Sequence, residues 1–485
     1  MLTKLEITKN FINGTWKESE TGETMTSFNP ADGVIVGESQ KSGLADIKLA
    51  IRDAKNAFEN TDWRSNSTRR SDALMQWASN LKEKKEEIAR LLTLENGKPI
   101  KEARMELNAC IDTLKYFAGM ARSVFGRSIN LSSTSYGIID KEPIGVVGII
   151  SPWNWPALLM IREAAPALAA GNAVILKPAS RTPLISVKLV ELIEGIADFP
   201  SGIVNIVTGP GRLIGDEMTT NPDVDVISFT GDTTTGKSLM KKAADKVKKL
   251  ALELGGKSPN ILFADADLNK AIPILAKSAF ISAGQMCFAG TRVIVHESIH
   301  EEVVEGIRKE AEKLKVGNGL NESTDMGPVI SEEQLKKVLE YCEIGKQETK
   351  LVTGGNRLTG GEFDNGFFIE PTIFDYVQIE SRIAQEEIFG PVLAVQVFKD
   401  EDEAISLANG TNFGLAAGVW TKDVSRAVRV AKKVKAGTVW INTYNKNYPQ
   451  TEFGGYKESG LGRTRGIDGL LEYTETKHIN IEFDE

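Results

Sequence analysis

Apolar residues near the start of the chain recur with the 3.6-residue period of amphipathic helices. This pattern predicts helices at residues 44–59, 67–94 and 99–124. Ahead of them, the pair Asn13-Gly14 interrupts an apolar segment at 11–16 and predicts a tight hairpin turn. A layer of helices preceded by a hairpin is therefore expected in this part of the chain.

A different pattern begins near residue 136. Short runs rich in Val and Ile alternate with helical periodicity, as in a parallel sheet that helices cover on both faces. Strands are predicted at 136–139, 144–150, 173–176, 203–207 and 224–229, and helices at 157–170, 183–196, from 212 and from 235. Such sheets bind ligands at the carboxyl ends of their strands, so the turns after these strands are the candidate functional segments.

A second α/β series follows residue 253. Strands are predicted at 260–263, 291–295, 392–398, 416–420, 438–441 and 473–483, and helices at 268–280, 299–314 and 332–344. The chain has 485 residues, which is too long for one compact core. Two or three domains of the α/β class are therefore expected.

Composition narrows the functional classes. The net charge of −8 gives no basic surplus for binding nucleic acid. No apolar run approaches the ~18 residues of a membrane-spanning helix, and the first residues contain no apolar signal core. The widely spaced Cys110, Cys287 and Cys342, with few histidines, form neither a disulfide framework nor a metal site. A cytoplasmic protein without a metal cofactor is predicted.

Cys287 occupies a distinctive segment. It lies in the sequence GQMCFAG, between a predicted helix and a predicted strand, where small neighbours let a thiol face a cleft. Free cysteines are more often packing residues than nucleophiles, so Cys287 alone leaves both interpretations open.

Several predicted strands end in turns with candidate binding residues. Asn154 either caps the next helix or donates an amide N–H to a developing oxyanion. Lys177 either lies at the surface or reaches a ribose hydroxyl or a phosphate. Gly209 begins a Gly-Pro-Gly turn that comes close to a dinucleotide-binding fingerprint but departs from its spacing.

The turn at 231–238 matches the GxxxxGK[ST] pattern of P-loop nucleotide hydrolases. Glycines in such a turn let backbone amides approach a phosphate at a helix N-terminus. A P-loop enzyme also needs a strand that ends in a magnesium-binding Asp, and Asp265 is the only fair candidate. The residues thus leave two classes open, a P-loop nucleotide hydrolase and a nicotinamide-dependent oxidoreductase with a cysteine nucleophile.

A series of motifs, in a fixed order, favours the second class. They are SPWNWP (151–156), LKPAS (176–180), FTGDTTTG (229–236), LELGGKSP (252–259), GQMCFAGTR (284–292), EEIFGPV (386–392) and FGGYKESGLG (453–462). With these motifs the chain resembles the aldehyde dehydrogenase superfamily over residues 11–469. The resemblance implies an α/β fold with a Rossmann-type cofactor domain, an α/β catalytic domain and a small β oligomerisation element.

The resemblance also implies roles for individual residues. Cys287 resembles the nucleophile, Asn154 the oxyanion donor and Glu253 the general base. In such an enzyme the thiol adds to the aldehyde, hydride passes to NAD or NADP, and water hydrolyses the resulting thioester. The implied cofactor-binding residues are Trp153, Lys177, Ser180, Gly209, Gly231, Asp232, Gly236, Glu387 and Phe389.

Some positions depart from the family pattern. Ser180 stands where NAD-preferring members often have glutamate, which predicts that NADP is accepted. Asp232 replaces a frequent serine, and its carboxylate would repel a pyrophosphate, so it is expected to point away or to contact a ribose. Glu163 and Thr464 replace a frequent lysine and glutamate, so a proton relay of the family type is not assigned to them.

The substrate is indicated by fewer residues. Arg162 stands where many members that take apolar or trimethylammonium aldehydes have tryptophan, and a buried cation there favours a small anionic or hydroxylated aldehyde. Succinate-semialdehyde dehydrogenases resemble the chain at Arg162 but add a second arginine where this chain has Ile281. Segment 442–453 resembles the betaine-aldehyde branch, which is the alternative. The predicted pocket residues are Trp155, Leu159, Arg162, Met286, Phe288, Asn447 and Phe453.

The predicted subunit has three parts. Residues 1–121 and 140–254 would form the cofactor-binding domain, 255–455 the catalytic domain, and 122–139 with 456–485 the oligomerisation element. The resemblance implies a homodimer or homotetramer acting on a small-molecule aldehyde. The remaining class is a non-catalytic protein that retains the fold, and the presence of Cys287, Glu253 and Asn154 argues against it.

Overall fold

The computed structural model describes residues 7–484. Residues 1–6 and 485 lie outside the described residues. The first group begins the predicted cofactor domain and the N-terminal segment in which no signal core is predicted, and residue 485 ends the predicted oligomerisation element. The strands are β1 (Asn10–Ile12), β2 (Thr15–Lys17), β3 (Thr24–Phe28), β4 (Ile35–Gln40), β5 (Arg127–Asn130), β6 (Ser135–Pro143), β7 (Val146–Ile150), β8 (Ala173–Lys177), β9 (Val204–Ile206), β10 (Val226–Thr230), β11 (Lys249–Glu253), β12 (Pro259–Leu262), β13 (Arg292–His296), β14 (Lys350–Thr353), β15 (Thr372–Asp375), β16 (Val392–Phe398), β17 (Phe413–Gly414), β18 (Ala416–Trp420), β19 (Thr438–Ile441), β20 (Tyr456–Lys457), β21 (Gly460–Leu461) and β22 (Thr474–Glu482). The helices are α1 (Leu44–Asn60), α2 (Ser67–Asn96), α3 (Ile100–Met120), α4 (Pro156–Ala170), α5 (Pro183–Glu191), α6 (Gly211–Thr220), α7 (Thr233–Ala243), α8 (Leu268–Phe280), α9 (His300–Glu312), α10 (Glu332–Glu348), α11 (Arg382–Gln385), α12 (Glu401–Asn409), α13 (Val424–Lys433) and α14 (Gly466–Leu471).

The first sheet has its strands in the order β2-β1-β9-β8-β7-β10-β11-β21. Strands β9, β8, β7, β10 and β11 pair in parallel, and their carboxyl ends lie along one edge. Helices cover both faces, which is why β7 to β10 are nearly continuous runs of buried Val and Ile. The predicted parallel sheet is confirmed, and the strand ends with candidate residues share one edge.

The second sheet has the order β14-β15-β16-β13-β12-β18-β19. Only its edge strand β14 is antiparallel to its neighbour. The chain enters this sheet directly from the first one, because β11 ends at Glu253 and β12 begins at Pro259. The two sheets therefore meet at the carboxyl end of β11.

A third, antiparallel sheet has the order β22-β6-β5. The C-terminal strand β22 pairs with β6 of the same chain along its whole length, from Thr474 opposite Pro143 to Glu482 opposite Ser135. This sheet combines the segments 127–143 and 474–482. Strand β6 is longer than the four residues predicted at 136–139 because the pairing with β22 extends it.

Some elements differ from the sequence predictions. Helix α5 ends at Glu191 rather than at 196, and Gly195 has a φ of 80°, a left-handed turn conformation that follows the helix end. Helix α3 ends at Met120, not at 124. Strand β11 was not predicted, because its Lys, Ala and Glu residues are depleted in strands. Among residues 7–484, no helix combines the length and apolarity that crossing a bilayer requires.

Candidate active site

The site is assembled where the first sheet passes into the second. Glu253 is the buried last residue of β11, and Gly255 and Gly256 follow it. A Cβ on Gly255 would lie 2.3 Å from Oε2 of Glu387, and a Cβ on Gly256 would lie 2.5 Å from the backbone oxygen of Cys287. Because the neighbour of Gly256 is backbone, a side chain at position 256 would require the chain to shift, and glycine avoids this. These two glycines bring the segments that carry Glu253, Glu387 and Cys287 together.

The segment before Cys287 makes a sharp turn. Ser282 and Ala283 have φ values of 51° and 53°, which are left-handed and unfavourable for residues with a side chain. The buried carboxyl of Glu102 on α3 holds this turn, since it accepts hydrogen bonds from Ser282 N at 3.2 Å and Ser282 Oγ at 2.6 Å. Cys287 is half-buried, whereas Cys110 and Cys342 are buried. Cys287 is thus the most accessible thiol of the chain.

Asn154 lies against the segment that carries the thiol. Its side-chain Nδ2 donates to the backbone oxygen of Gln285 at 3.0 Å, two residues before Cys287. The residue at the cap of α4 is Trp155, and its side chain accepts no hydrogen bond from that helix. Asn154 is therefore not the cap of α4, and its amide faces the segment that carries Cys287.

A buried ion pair supports Asn154 from below. Lys98 Nζ donates to the backbone oxygen of Asn154 at 2.9 Å and pairs with Glu106 of α3. Glu106 Oε1 in turn accepts the backbone N–H groups of residues 157 and 158 at 2.9 and 3.0 Å, at the start of α4. The pair thereby fixes Asn154 and the beginning of α4 relative to α3.

The thiol and the carboxyl near it are both protonated more readily than usual. Burial raises the pKa of Cys287 to about 12, a shift that Arg162 opposes and Glu253 increases. Burial likewise raises the pKa of Glu253 to about 8, against the opposing charge of Arg162. A protonated thiol needs a base before it can act as a nucleophile, and Glu253 is a carboxyl in the same surroundings.

Cys287 lines a cavity of about 190 Å³. Helices α3 and α4 form one side of it, and the segment 445–449 forms another. The cavity is lined by Met105, Ala109, Asp112, Thr113, Asn154, Trp155, Leu158, Leu159, Arg162, Met286, Cys287, Phe288, Asn445, Asn447, Tyr448, Pro449 and Arg465. Of the predicted pocket residues, only Phe453 is not part of this lining. It packs instead against Phe288, with ring centroids 5.4 Å apart.

Arg162 lines the cavity as one half of an ion pair. Its Nε lies 2.7 Å from Oε1 of Glu163, and its Nη2 donates to Thr230 Oγ1 at 3.0 Å. Glu163 also accepts hydrogen bonds from Thr464 Oγ1 at 3.1 Å and from Tyr473 OH at 2.8 Å. The positive charge of Arg162 is thus compensated by Glu163, and Glu163 also accepts a hydrogen bond directly from Thr464.

A second arginine, Arg465, lines the same cavity and was missed in the sequence. It is 8% exposed, and its Nη1 donates to Asn447 Oδ1 at 2.8 Å. Residues Phe453 and Thr464 exchange two backbone hydrogen bonds of 2.8 Å, which brings the next residue to the pocket. No motif includes this position, because its contact with the pocket depends on the backbone pairing of Phe453 with Thr464. Ile281 therefore does not decide whether the pocket has a second cation.

Lys177 and Ser180 lie at the carboxyl end of β8. Lys177 is buried, donates to the backbone oxygen of Pro178 at 2.8 Å, and has a pKa that burial lowers to about 8. Ser180 Oγ donates to the backbone oxygen of Gly209 at 3.0 Å. Within the described residues, no carboxylate pairs with Lys177. A buried ammonium with free N–H donors fits a ribose hydroxyl or a phosphate oxygen.

Glu387, Phe389 and Trp153 adjoin the same junction. Glu387 Oε1 accepts the backbone N–H of Gly256 at 3.0 Å, and burial raises the pKa of its carboxyl to about 7. Phe389 packs edge-on against Trp153 with ring centroids 5.3 Å apart. The structure thus brings these predicted cofactor residues close to the Glu253 and Cys287 segments.

The turn at 231–238 is organised differently from a P-loop. Asp232 caps α7, since its Oδ1 accepts Thr235 N at 2.8 Å and its Oδ2 accepts Thr235 Oγ1 at 2.6 Å. Gly236 packs against Leu254, and a Cβ there would lie 2.6 Å from its side chain. Lys237 pairs with Glu458 at 2.8 Å, whereas Asp265 follows β12 in the other sheet. The lysine and the aspartate that a P-loop site needs together follow strands of different sheets.

Comparisons with known proteins identify the family to which the whole chain is similar. The sequence profile described as "Aldehyde dehydrogenase family" matches residues 16–479. The betaine aldehyde dehydrogenase of Bacillus subtilis (strain 168) is 44% identical over 472 residues, which cover 97% of this chain and 96% of the relative. An aldehyde dehydrogenase of Davidiella tassiana is 40% identical over 473 residues, covering 97% and 94%. The crystal structure of betaine aldehyde dehydrogenase from Staphylococcus aureus in complex with NAD+ has a TM-score of 0.96–0.97 to this chain, with 39% identity and coverage of 99% and 95%.

The α/β fold and the thiol site define an oxidoreductase that uses a nicotinamide cofactor. The chain belongs to the aldehyde dehydrogenase family. It is an NAD(P)-dependent aldehyde dehydrogenase, and the predicted fold class, reaction and cofactor type are confirmed. The P-loop alternative is thereby excluded.

Proposed function

We propose that Cys287, Asn154 and Glu253 catalyse the oxidation of an aldehyde to its carboxylate through a covalent thioester. One observation supports this proposal above the others. Cys287 and Asn154 line a single cavity, and the glycines after Glu253 hold its strand end against the backbone of Cys287. The chain thus gathers a nucleophile, an oxyanion donor and a base in one place.

Each residue has a defined part in the reaction. Glu253 takes the thiol proton, the thiolate of Cys287 adds to the carbonyl carbon, and the carbonyl oxygen becomes an alkoxide. Asn154 Nδ2 and the backbone N–H of Cys287 donate to this alkoxide. When bound, NAD or NADP accepts the hydride that leaves the same carbon. Glu253 releases the thiol proton to solvent and then takes a proton from the water that attacks the thioester. The carbon–sulfur bond breaks, the acid leaves, and Glu253 returns this proton to the thiolate, which restores the thiol.

Lys177, Ser180 and Glu387 are the residues we propose to hold the cofactor's riboses, with Trp153 and Phe389 beside them. The unpaired, buried ammonium of Lys177 supports this assignment. Gly209, Gly231, Asp232 and Gly236 lie at the neighbouring strand ends, where Asp232 acts as a helix cap. The absence of a carboxylate at Ser180 supports acceptance of NADP as well as NAD.

The substrate we propose is a small anionic or hydroxylated aldehyde. Two arginines line the cavity, and its only lining carboxylate, Asp112, is exposed. Betaine aldehyde is the second candidate, because the relative from Bacillus subtilis carries that name at 44% identity. Rates with succinate semialdehyde, lactaldehyde, glyceraldehyde and betaine aldehyde distinguish the two candidates, and fastest turnover of betaine aldehyde would contradict our proposal.

The predicted organisation into domains and oligomers is retained as part of the proposal. The separate first and second sheets support a cofactor domain at 1–121 and 140–254 and a catalytic domain at 255–455. Sheet β22-β6-β5, whose outer strands have no further partner among residues 7–484, supports an oligomerisation element and a homodimer or homotetramer. The free thiols support a cytoplasmic enzyme. Light scattering of the purified protein measures the oligomeric state.

The substitution Cys287→Ala tests the proposed mechanism. It removes the nucleophile, so we expect kcat to fall by about 10⁴-fold or more, as when other enzymes lose a covalent nucleophile. Formation of the reduced cofactor measures the rate. The buried Cys342→Ala variant controls for general loss of a thiol and should retain activity. A Cys287→Ala enzyme with full activity would contradict the mechanism.

A further inference from the structure

Arg465 and Arg162 are the two buried arginines that line the cavity, and they differ in whether a carboxylate pairs with them. Arg162 is paired with Glu163 and also bonds Thr230. Arg465 is also buried, at 8% exposure, but its hydrogen-bond partner is the neutral amide oxygen of Asn447. In the part of the chain from 7 to 484, no carboxylate lies within salt-bridge distance of Arg465.

A guanidinium has five N–H donors, and Arg465 uses one of them in this way. Burying a charge without a counter-ion is costly, so residues of this kind are found where a ligand supplies the missing charge. Arg465 also has a φ of 62°, the left-handed conformation that side chains rarely adopt. Unfavourable backbone and charge at the same residue, on the wall of a reactive cavity, indicate a ligand-binding role.

The electrostatic surroundings of the cavity favour an anion. The charge of Arg162 is balanced by Glu163, so Arg465 is the cation of the cavity lining that has no salt-bridge partner among residues 7–484. Glu253 adds little negative charge at neutral pH, because burial raises its pKa to about 8. The one carboxylate in the lining, Asp112, is exposed on α3.

Two aromatic side chains at the cavity are already engaged by cations, Trp155 in the lining and Phe453 behind it, whereas Phe288 and Tyr448 also line the cavity. Lys98 Nζ lies 4.1 Å from the ring centroid of Trp155, and the Arg465 guanidinium lies 5.3 Å from that of Phe453. A quaternary ammonium is usually bound by free aromatic faces. The positive charge of Arg465 in the lining therefore disfavours a trimethylammonium aldehyde, and the face of Trp155 that Lys98 occupies is not available to bind one.

We propose that Arg465 binds the carboxylate of an aldehyde substrate that carries its acid group at the end opposite the aldehyde. This inference rests on the proposed function, since Cys287 must attack the other end of the same molecule. Arg465 is then the specificity-determining residue. The guanidinium would hold the carboxylate through two parallel N–H···O bonds, and Asn447 would keep its plane in place. Arg162, whose charge is paired with Glu163, does not bind the carboxylate itself.

Two substrates, compared in variants of Arg465, test the inference. Succinate semialdehyde carries the carboxylate, and pentanal is a chain of similar length without it. In Arg465→Gln, we expect kcat/KM for succinate semialdehyde to fall by about 10- to 100-fold, mostly through KM, because a hydrogen-bonded charge pair is lost. The value for pentanal should change by less than about threefold. Arg465→Lys should be intermediate, since a lysine cannot form the paired bonds.

A second variant keeps the inference testable if Arg465→Gln folds poorly. Asn447→Asp would place a carboxylate 2.8 Å from Arg465 and compensate its charge. It should lower kcat/KM for succinate semialdehyde while largely sparing pentanal. The control is Arg52→Gln, which removes an arginine that is 72% exposed on α1. It should change kcat/KM for neither substrate.

The possible outcomes separate this inference from the proposed function. The role proposed for Arg465 is wrong if Arg465→Gln and Asn447→Asp lower kcat/KM equally for both substrates. It is also wrong if kcat/KM of the native enzyme is no higher for succinate semialdehyde than for pentanal. In either case the proposed reaction of Cys287 with the aldehyde is unaffected. If Cys287→Ala still oxidises pentanal, the proposed mechanism itself fails. Inhibition by succinate, which lacks an aldehyde, gives an independent measure and should weaken in Arg465→Gln.

Discussion

The buried charged groups around the site form two sets that differ in compensation. Beneath Asn154, Lys98 and Glu106 are almost completely buried and pair with each other. At the reacting edge, Glu253 and Lys177 are also buried, yet neither has an ion-pair partner among residues 7–484. Both sets lie at the same end of the first sheet, so their depth alone does not explain the difference.

The difference separates support from reactivity. A compensated pair with hydrogen bonds to the backbone positions the chain and has no capacity left for a ligand. An uncompensated group keeps the full effect of desolvation, and the pKa values of Glu253 and Lys177 are both moved to about 8. Such values lie near the pH at which an enzyme must exchange protons or bind charged ligands. Substitutions in the two sets should therefore fail in different ways.

The largest effect is expected from Glu253→Gln in the uncompensated set. Removal of a general base should lower the steady-state rate by about 10²- to 10⁴-fold. In the native enzyme only the ionised carboxylate can accept a proton, so the rate should rise as pH increases towards about 8 and then level off. The pH profile of kcat/KM measures this, and the rising limb should disappear in Glu253→Gln.

Glu59→Gln on the surface of α1 is the control for this measurement and should leave the profile unchanged. A rising limb that persists in Glu253→Gln would show that another group is the base. The comparison between the two sets would then lose its main example.

The next effect is expected from Glu106→Gln in the compensated set. This change leaves Lys98 as a buried, unpaired charge, which should lower the free energy of unfolding by about 3–5 kcal/mol. Urea denaturation followed by circular dichroism measures it. The exposed pair of Glu305 and Arg308 provides the control, since Glu305→Gln should cost only about 0–1 kcal/mol. Equal losses in the two variants would contradict the distinction.

The smallest effect is expected at the cofactor residues. Ser180→Glu introduces a carboxylate near the uncompensated Lys177 and should repel a ribose 2′-phosphate. A repulsion on the order of 1.4 kcal/mol would lower the ratio of kcat/KM for NADP over NAD by about tenfold. Ser180→Gln is the matched neutral control and should keep the original ratio. An unchanged ratio in Ser180→Glu would place the 2′-hydroxyl away from residue 180.

Much of the fold could be predicted because its central strands are buried on both faces. Strands β7, β8 and β10 are continuous runs of Val and Ile, and their ends fixed where the candidate residues would meet. Strand β11 was missed because its sequence, KLALE, has little intrinsic preference for a strand and is held by pairing with β10 and β21. The strand that carries Glu253 was thus the one that local patterns did not show.

The site was predictable where neighbouring residues carry the chemistry. Asn154, Glu253 and Cys287 stand in short motifs with a physical reason for each residue type. Arg465 has no such motif, because its position depends on the backbone pairing of Phe453 with Thr464. The compensation of Arg162 by Glu163 could not be predicted either, since a sequence shows which charges exist but not which of them pair.

The pairing of β21 with β11 also has a consequence for how the enzyme is made. Gly460 and Leu461 cover the outer edge of β11 at Glu253 and Leu252, and Arg465 follows a few residues later. Domains generally fold from the N-terminus during synthesis, so most of the first sheet can form on the ribosome with this edge open. The last tenth of the chain then closes the edge and supplies Arg465 together. A nascent chain therefore contains the thiol of Cys287 well before it contains Arg465.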